Sequence, residues 1–229
     1  MVKGALGVGW GVYRARRHEF LDSAKVRRRT LVGTFVALAV GLFLVIGTVY
    51  WDIFDGPPVR DGVAIIFFSA AAGCLLMAFL PVADPGAAPS PGKMLGDWRR
   101  SERIERQFGK RPPAIVSEDR DEVIAGSQRL LATSVVAVDR SKWVPRGYFL
   151  AWVAFVVAGM ASLDELTLLL LPLIFSALYS TTVVTSVTAA GRADAAHHRA
   201  LSLPPAPADS SPGRPKSSPP VSRFALPDE

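Results

Sequence analysis

The sequence predicts an all-α membrane protein with four transmembrane helices, and three observations lead to this fold class. Half of the 229 residues are hydrophobic, and most of them lie in four blocks without charged residues, whereas an amphipathic helix would space them out. If each block crosses the membrane once, all but one of the 26 Lys and Arg residues fall on the same side of it. The chain ends in a stretch rich in proline and serine.

The four blocks have the length of transmembrane helices. A helix of about 20 apolar residues crosses the hydrocarbon layer and satisfies its own backbone hydrogen bonds. Short connections group the blocks into two hairpins, and Pro172 predicts a kink in the last helix. The predicted spans are residues 31–50 and 62–82 in hairpin 31–82, and 147–163 and 166–190 in hairpin 147–190.

The first block is predicted to stay in the mature protein. Its apolar run is too long for a signal peptide and begins after some thirty residues. The basic segment 1–30 precedes it, and Lys and Arg near the ends of spans remain cytoplasmic. Both termini and the segment 83–146 are therefore predicted to be cytoplasmic, and the loop that holds Arg60 is predicted to be outside.

The segment 83–146 predicts a Pro/Gly-rich linker followed by two antiparallel helices. The first is amphipathic, with Glu102 and Arg106 placed as an i,i+4 ion pair. The second begins with Ser117 as its N-cap, and residues 133–138 could alternatively form a short strand. Five residues make one apolar face of the second helix: Val123, Ile124, Leu131, Val135 and Val138.

Two further interpretations of the first amphipathic helix stand beside simple packing. Its aromatic and aliphatic side chains could lie on the inner leaflet while its arginines meet anionic lipid headgroups, or the helix could dock on a partner protein. The residues concerned are Trp98, Arg99, Arg103, Ile104 and Phe108.

The remaining cytoplasmic segment, 191–229, predicts a disordered tail because proline and serine replace any apolar period. A single cysteine, Cys74, excludes a disulfide within the chain. The basic net charge follows from membrane topology, so no nucleic-acid partner is predicted.

No catalytic residue, metal site or cofactor is predicted. A membrane enzyme or ion-coupled carrier needs ionisable groups at depth, and the four blocks contain none. His18, His197 and His198 lie outside the blocks, and adjacent histidines on a helix point in different directions. Five acidic residues of the two outside loops could bind a divalent cation, but acidic loops outside the membrane are expected anyway.

Small residues recur at helical spacing within the spans. Such faces let helices approach closely, either within one chain, with a partner protein or in a homo-oligomer. Hydroxyl groups on the last span could also line a narrow polar path. The predicted packing or partner faces comprise Gly33, Ala37, Gly41, Ser69, Gly73, Ala177, Thr181 and Thr185.

These observations favour a non-enzymatic integral plasma-membrane protein that serves as a scaffold or accessory subunit of a membrane or cell-envelope complex. The alternative is a small oligomeric transporter or channel that uses the Ser/Thr-rich face of the fourth span. An enzyme acting at the inner leaflet through Asp97, Glu102 and Glu105 is least favoured, because these carboxylates form no convergent motif. The excess of Arg over Lys and the lack of Asn suggest a high-GC bacterium.

Overall fold

The computed structural model describes residues 2–51, 53–54, 56–83, 98–159 and 166–205. Within these ranges every element is helical, apart from an isolated bridge between Leu21 and Ala83, which confirms the all-α class. Two 3₁₀ turns, Arg106–Phe108 and Ser117–Asp119, separate α4 from α5. The α-helices are α1 (Val2–Phe20), α2 (Ser23–Trp51), α3 (Pro58–Phe79), α4 (Trp98–Glu105), α5 (Arg120–Ser141), α6 (Trp143–Val157) and α7 (Leu166–Leu201).

Three of these helices are long and apolar enough to cross a membrane: α2, α3 and the Leu170–Leu201 part of α7. The predicted span 147–163 is the exception, because α6 ends at Val157. Gly159 has a φ of +71°, a left-handed conformation that commonly terminates helices. Residues 160–165, where this predicted span ends, lie outside the described residues.

Helices α2, α3, α6 and the first part of α7 form what we call the apolar layer. Gly33 of α2 contacts Met77 of α3, and Gly41 contacts Ser69, so the two helices run antiparallel. Helix α6 packs antiparallel to α3 in the same way, through contact of Gly147 with Leu75 and of Phe155 with Phe68. Pro172 lies inside α7, which is helical on both sides of it.

Helix α7 extends beyond the apolar layer. It continues past residue 190, the predicted end of the fourth span, to Leu201, so residues 191–201 of the predicted disordered tail are helical. The physical reason is a stripe of small side chains that α1, α4 and α5 cover. This stripe consists of Val187, Ala190, Ala193, Ala196 and Ala200. The tail residues 206–229 lie outside the described residues.

Helices α1, α4, α5 and the end of α7 form the polar layer. Helix α1 occupies much of the predicted basic segment 1–30 and packs parallel to α7, with Gly9 against Val187 and Arg16 against Asp194. Helix α2 begins at Ser23, eight residues before the predicted start of the first span at residue 31. It begins there because the Asp22 carboxylate accepts backbone hydrogen bonds in the first turn.

The segment 83–146 contains helices of unequal length, with eight residues in α4 and 22 in α5. The strand alternative for residues 133–138 is wrong, since they lie within α5. Ser117 lies in a 3₁₀ turn and makes no side-chain capping bond. The predicted apolar face of α5 packs inward, and Val123, Val135 and Val138 have no exposed surface. The linker residues 84–97 lie outside the described residues.

Candidate functional site

A buried cluster of charged and aromatic side chains connects the two layers, and we call it the polar joint. Asp139 near the end of α5 is its centre. The Asp139 Oδ2 atom lies 2.6 Å from Arg29 Nη2 of α2, and these side chains are only 3% and 2% exposed. The Tyr13 hydroxyl of α1 donates to Asp139 Oδ1 at 2.8 Å. Lys142 also bonds to Asp139 Oδ1, and its Nζ donates to the Tyr13 hydroxyl oxygen at 3.0 Å.

Burial and these partners act in opposite directions on the pKa of Asp139. Burial alone raises this pKa, but the bonds from Lys142, the charge of Arg29 and the Tyr13 hydroxyl together hold it below its usual range. Burial and the nearby Asp139 carboxylate raise the pKa of Tyr13. Asp139 is therefore an anion and Tyr13 a neutral donor at neutral pH.

The local sequence explains why these groups meet where α5 gives way to α6. Lys142 separates the two helices, and its backbone N–H bonds back to Val138. Pro145 falls in the first turn of α6, where its missing N–H costs no helical hydrogen bond. The change of helix brings Asp139, Lys142 and Trp143 to one end of the apolar layer.

Trp143 forms the aromatic part of the polar joint. Three cations lie near the face of its ring, with the Arg29, Lys142 and Arg146 charges 5.8, 5.6 and 5.3 Å from the ring centre. Such cation–π contacts contribute more when the cation is shielded from water. The joint therefore holds cations by both a carboxylate and an aromatic face.

Other backbone contacts tie the same region together. The Asp22 N–H donates to the Val82 carbonyl at 3.2 Å, and Lys25 Nζ donates to the Ala83 carbonyl at 2.9 Å. Arg140 Nε donates to the Ala78 carbonyl at 3.4 Å. The α1–α2 turn, the end of α3 and the end of α5 are thus held as one unit.

A second charged cluster joins α4 to the start of α5. Asp119 accepts hydrogen bonds from Arg103 at 2.6 Å and from Arg100 at 3.0 Å. Burial raises the pKa of Asp119, but the two arginines outweigh burial and the net pKa is lowered. The predicted Glu102–Arg106 ion pair is present at 2.7 Å.

The residues predicted for a membrane surface or a partner separate into two groups. Ile104 is buried, and Phe108 is partly buried against the same cluster of α5 and α7 residues. Arg103 pairs with Asp119. Trp98 is 68% exposed, and the Arg99 guanidinium lies 5.4 Å from its ring centre. Trp98, Arg99 and Arg103 are all exposed on the outer surface, although Arg103 is paired.

The small residues of α2 and α3 face one another. A Cβ atom added at Gly33 would lie 2.5 Å from Met77 Cγ, and one at Gly73 would lie 2.7 Å from the Gly33 carbonyl oxygen and 3.0 Å from Ala37 Cβ. A Cβ at Gly41 would lie 2.9 Å from Ser69 Oγ. These five residues pack within the chain.

The small residues of α7 face outward instead. Ala177, Thr181 and Thr185 are exposed. The Thr181 hydroxyl donates to the Leu178 carbonyl at 2.6 Å and the Thr185 hydroxyl to the Thr182 carbonyl at 3.0 Å. Because these hydroxyls already bond to their own helix, the face can meet an apolar or small-residue surface without leaving donors unsatisfied.

The histidines take part in local contacts. Ser127 Oγ lies 3.0 Å from His197 Nδ1 in the buried part of the polar layer, and His198 Nε2 lies 3.5 Å from Asp194 Oδ2. Among the described residues, no group of three or more His, Cys, Asp or Glu could hold a metal ion. The acidic loop residues 52, 55, 164 and 165, considered for a cation, lie outside the described residues.

Sequence reasoning missed the polar joint. It interpreted the basic segment 1–30, which includes Arg29, only as a topology signal, and it placed Asp139 and Tyr13 in no site. The available signal was the pattern DRSKW at Asp139–Trp143, where an acid and three polar residues interrupt an apolar helix just before the next apolar block.

The fold and the site define an all-α protein with three helices suited to a membrane and a buried ionic joint at the end of the apolar layer. No protein-family model matches the chain, and the comparisons with curated proteins and with solved structures found no match.

Proposed function

We propose that this chain is a non-enzymatic integral membrane protein that acts as a scaffold or accessory subunit of a membrane or cell-envelope complex. It would reside in a bacterial plasma membrane with both termini in the cytoplasm. The observation that carries the proposal is the outward face of α7, where small and hydroxyl side chains have no partner helix among the described residues.

The character of this face supports a protein partner. Lipid-facing positions on α2 carry large side chains such as Phe35, Leu38 and Leu42, all well exposed. The exposed surface of α7 also carries large side chains such as Leu178, but Ala177, Thr181 and Thr185 form a row of small residues along it. Small residues favour close contact between helices within a bilayer, because van der Waals packing drives that association.

The continuity of α7 supports a role in coupling. The same helix carries the outward face and the alanine stripe that α1 and α5 bury. A partner bound at Thr181 in the membrane would therefore be held in fixed relation to the polar layer. That arrangement suits a scaffold that positions a membrane partner against a cytoplasmic one.

The buried titratable groups favour binding over catalysis. Asp139, Arg29 and Lys142 are engaged with one another, and Ser127 and His197 lie inside the core. A general acid or base must reach a substrate proton, and Ser127 has no exposed surface with which to do so.

Site-specific photo-crosslinking in native membranes tests the proposal. A photoreactive residue at Thr181 should give one defined protein adduct, whereas the same residue at the exposed Leu42 of α2 should give lipid adducts only. Both sites are exposed on helices suited to a membrane. Lipid adducts alone at both sites would contradict the scaffold proposal.

A second candidate, the oligomeric transporter or channel, is favoured by the row of hydroxyls at Ser180, Thr181 and Thr185. It requires a Thr181 adduct with the mass of two copies of this chain. It also requires solute flux in liposomes that falls when Thr181 and Thr185 are replaced by Leu. A heteromeric adduct without flux would exclude it.

A further inference from the structure

A pocket of about 330 Å³ opens beside the polar joint, between the α1–α2 turn and the start of α6. This volume lies at the lower end of the range for small-molecule sites. Leu21 and Val26 give it an apolar side. Its charged and aromatic lining includes Arg17, Arg27, Arg29, Asp139, Lys142 and Trp143.

The charge of this lining is strongly positive. Asp139 is the one carboxylate among the lining residues, and Arg29 and Lys142 already neutralise it. Arg17 and Arg27 form no ion pair with any described residue, and the Arg17 side chain instead contacts His18, which also lines the pocket. Cations gathered in a cleft with low-dielectric walls attract anions.

The hydrogen-bonding groups of the lining point to the same class of ligand. Arg29 is almost fully buried, and within the described residues its Nε and Nη1 atoms have no hydrogen-bond partner. The Trp143 Nε1 atom is also buried without a described partner. All three atoms are donors, and buried donors without acceptors are rare in folded proteins. The Asp139 Oδ2 acceptor, 2.6 Å from Arg29 Nη2, also lacks a hydrogen-bond partner in the described part of the chain, so the lining holds one such acceptor against three such donors. A ligand that supplies acceptor oxygens would match this excess of donors.

We propose that this pocket binds a phosphate group, either on a phospholipid headgroup or on a soluble phosphate compound. A phosphate offers only acceptor oxygens and matches the donor geometry of a guanidinium. The pocket lies at the polar ends of α2 and α6, which is the depth of lipid headgroups if the apolar layer spans the bilayer. A phosphate from a phospholipid headgroup is therefore a ligand only if the proposed membrane location holds. A soluble phosphate compound does not depend on that location.

Calorimetric titration of the delipidated, detergent-purified full chain tests the site at fixed salt. The probes are inorganic phosphate and mixed micelles of phosphatidylglycerol or phosphatidylcholine. Saturable binding of phosphatidylglycerol that exceeds that of inorganic phosphate identifies a lipid headgroup as the source. Equal binding of inorganic phosphate identifies a soluble phosphate. Absence of binding to every probe overturns the proposal.

The variants Arg27→Gln and Arg28→Gln provide a matched pair. Both residues are exposed neighbours on α2 and lose the same charge, but only Arg27 lines the pocket. Arg27→Gln should weaken binding about fivefold, and Arg28→Gln should leave it nearly unchanged. Trp143→Phe keeps the aromatic ring but removes the Nε1 donor, and it should also weaken binding.

Equal weakening by Arg27→Gln and Arg28→Gln would show attraction to the general surface charge and would overturn the site. The result is separable from the scaffold proposal, because no α7 residue lines the pocket. Failure to crosslink at Thr181 would leave the phosphate measurement unaffected.

Discussion

At the scale of single residues, the buried carboxylate of Asp139 is the centre of the polar joint. It meets Arg29, Lys142 and the Tyr13 hydroxyl in an almost fully buried environment. A buried ion pair adds little net stability compared with a well-packed apolar pair, but loss of one partner leaves the other charge uncompensated. Asp139 is therefore sensitive to substitution although it belongs to none of the predicted helix faces.

Replacement of Asp139 by Asn should destabilise the protein by about 3–5 kcal/mol, because Arg29 would remain buried without its counterion. Thermal unfolding of the detergent-solubilised protein, followed by far-UV circular dichroism, measures the effect. Asp121→Asn is the control, since its side chain is 78% exposed and pairs only with its neighbour Arg120. An effect of Asp139→Asn no larger than that of the control would show that the polar joint contributes little to stability.

The pH dependence of unfolding gives a second readout of the same substitution. The pKa of Asp139 is lower in the folded protein than its usual 3.8. Below that usual value the unfolded state binds more protons than the folded state, so stability falls as the pH is lowered. The native chain should lose this contribution below about pH 4, and Asp139→Asn should show a shallower loss. The pKa of Asp119 is also lowered in the folded protein. Its contribution makes the stability of both proteins fall to some extent as the pH is lowered.

At the scale of helices, the sequence was most informative where apolar residues were dense. The long uncharged blocks predicted the positions of α2 and α3 and the first part of α7, because a helix in lipid must be apolar on all sides. Helices α2 and α7 are longer than the predicted spans. Helix α2 begins before its apolar block because Asp22 caps the first turn. Helix α7 continues after its apolar block because its alanine stripe is buried against other helices.

The crossing of α1 and α7 was not predictable from hydropathy, because glycine and alanine contribute little to it. The backbones approach so closely that a Cβ atom added at Gly9 would lie 2.1 Å from the Val187 carbonyl oxygen. Gly191 packs back against Gly9, where an added Cβ would lie 3.0 Å from the Gly9 Cα. Only glycine permits this contact, so the identity of the residue at position 9 matters more than its hydropathy.

Gly9→Ala should destabilise the protein by about 1–3 kcal/mol, because the helices must separate to admit a methyl group. Gly11→Ala, two residues further along the same helix, meets no atom within 4 Å. It should stabilise α1 by about 0.5–1 kcal/mol, since alanine is the better helix former. The difference between the two unfolding midpoints is the measurement. Equal changes in the unfolding midpoint for the two variants would contradict the close contact of α1 with α7.

At the scale of the whole molecule, composition predicted the class of protein but not how its parts join. The polar joint depends on residues distant in sequence, such as Tyr13 and Asp139, whose pairing leaves no periodic signal. The pocket beside it is equally non-local, because α1, α2 and the start of α6 each contribute to it. The small residues of α7 could be seen in the sequence, but only the packing shows that they face outward, unlike those of α2 and α3.

The central claim is that the apolar layer lies in a bilayer while the polar layer and both termini lie in the cytoplasm. Cysteine labelling of intact cells with an impermeant maleimide tests it most directly, in a Cys74→Ser background. Val59→Cys lies at the exposed start of α3, and Ser202→Cys lies at the exposed end of α7. We expect labelling of Val59→Cys in intact cells and of Ser202→Cys only after permeabilisation. Labelling of Ser202→Cys in intact cells, or protection of Val59→Cys, would contradict the account.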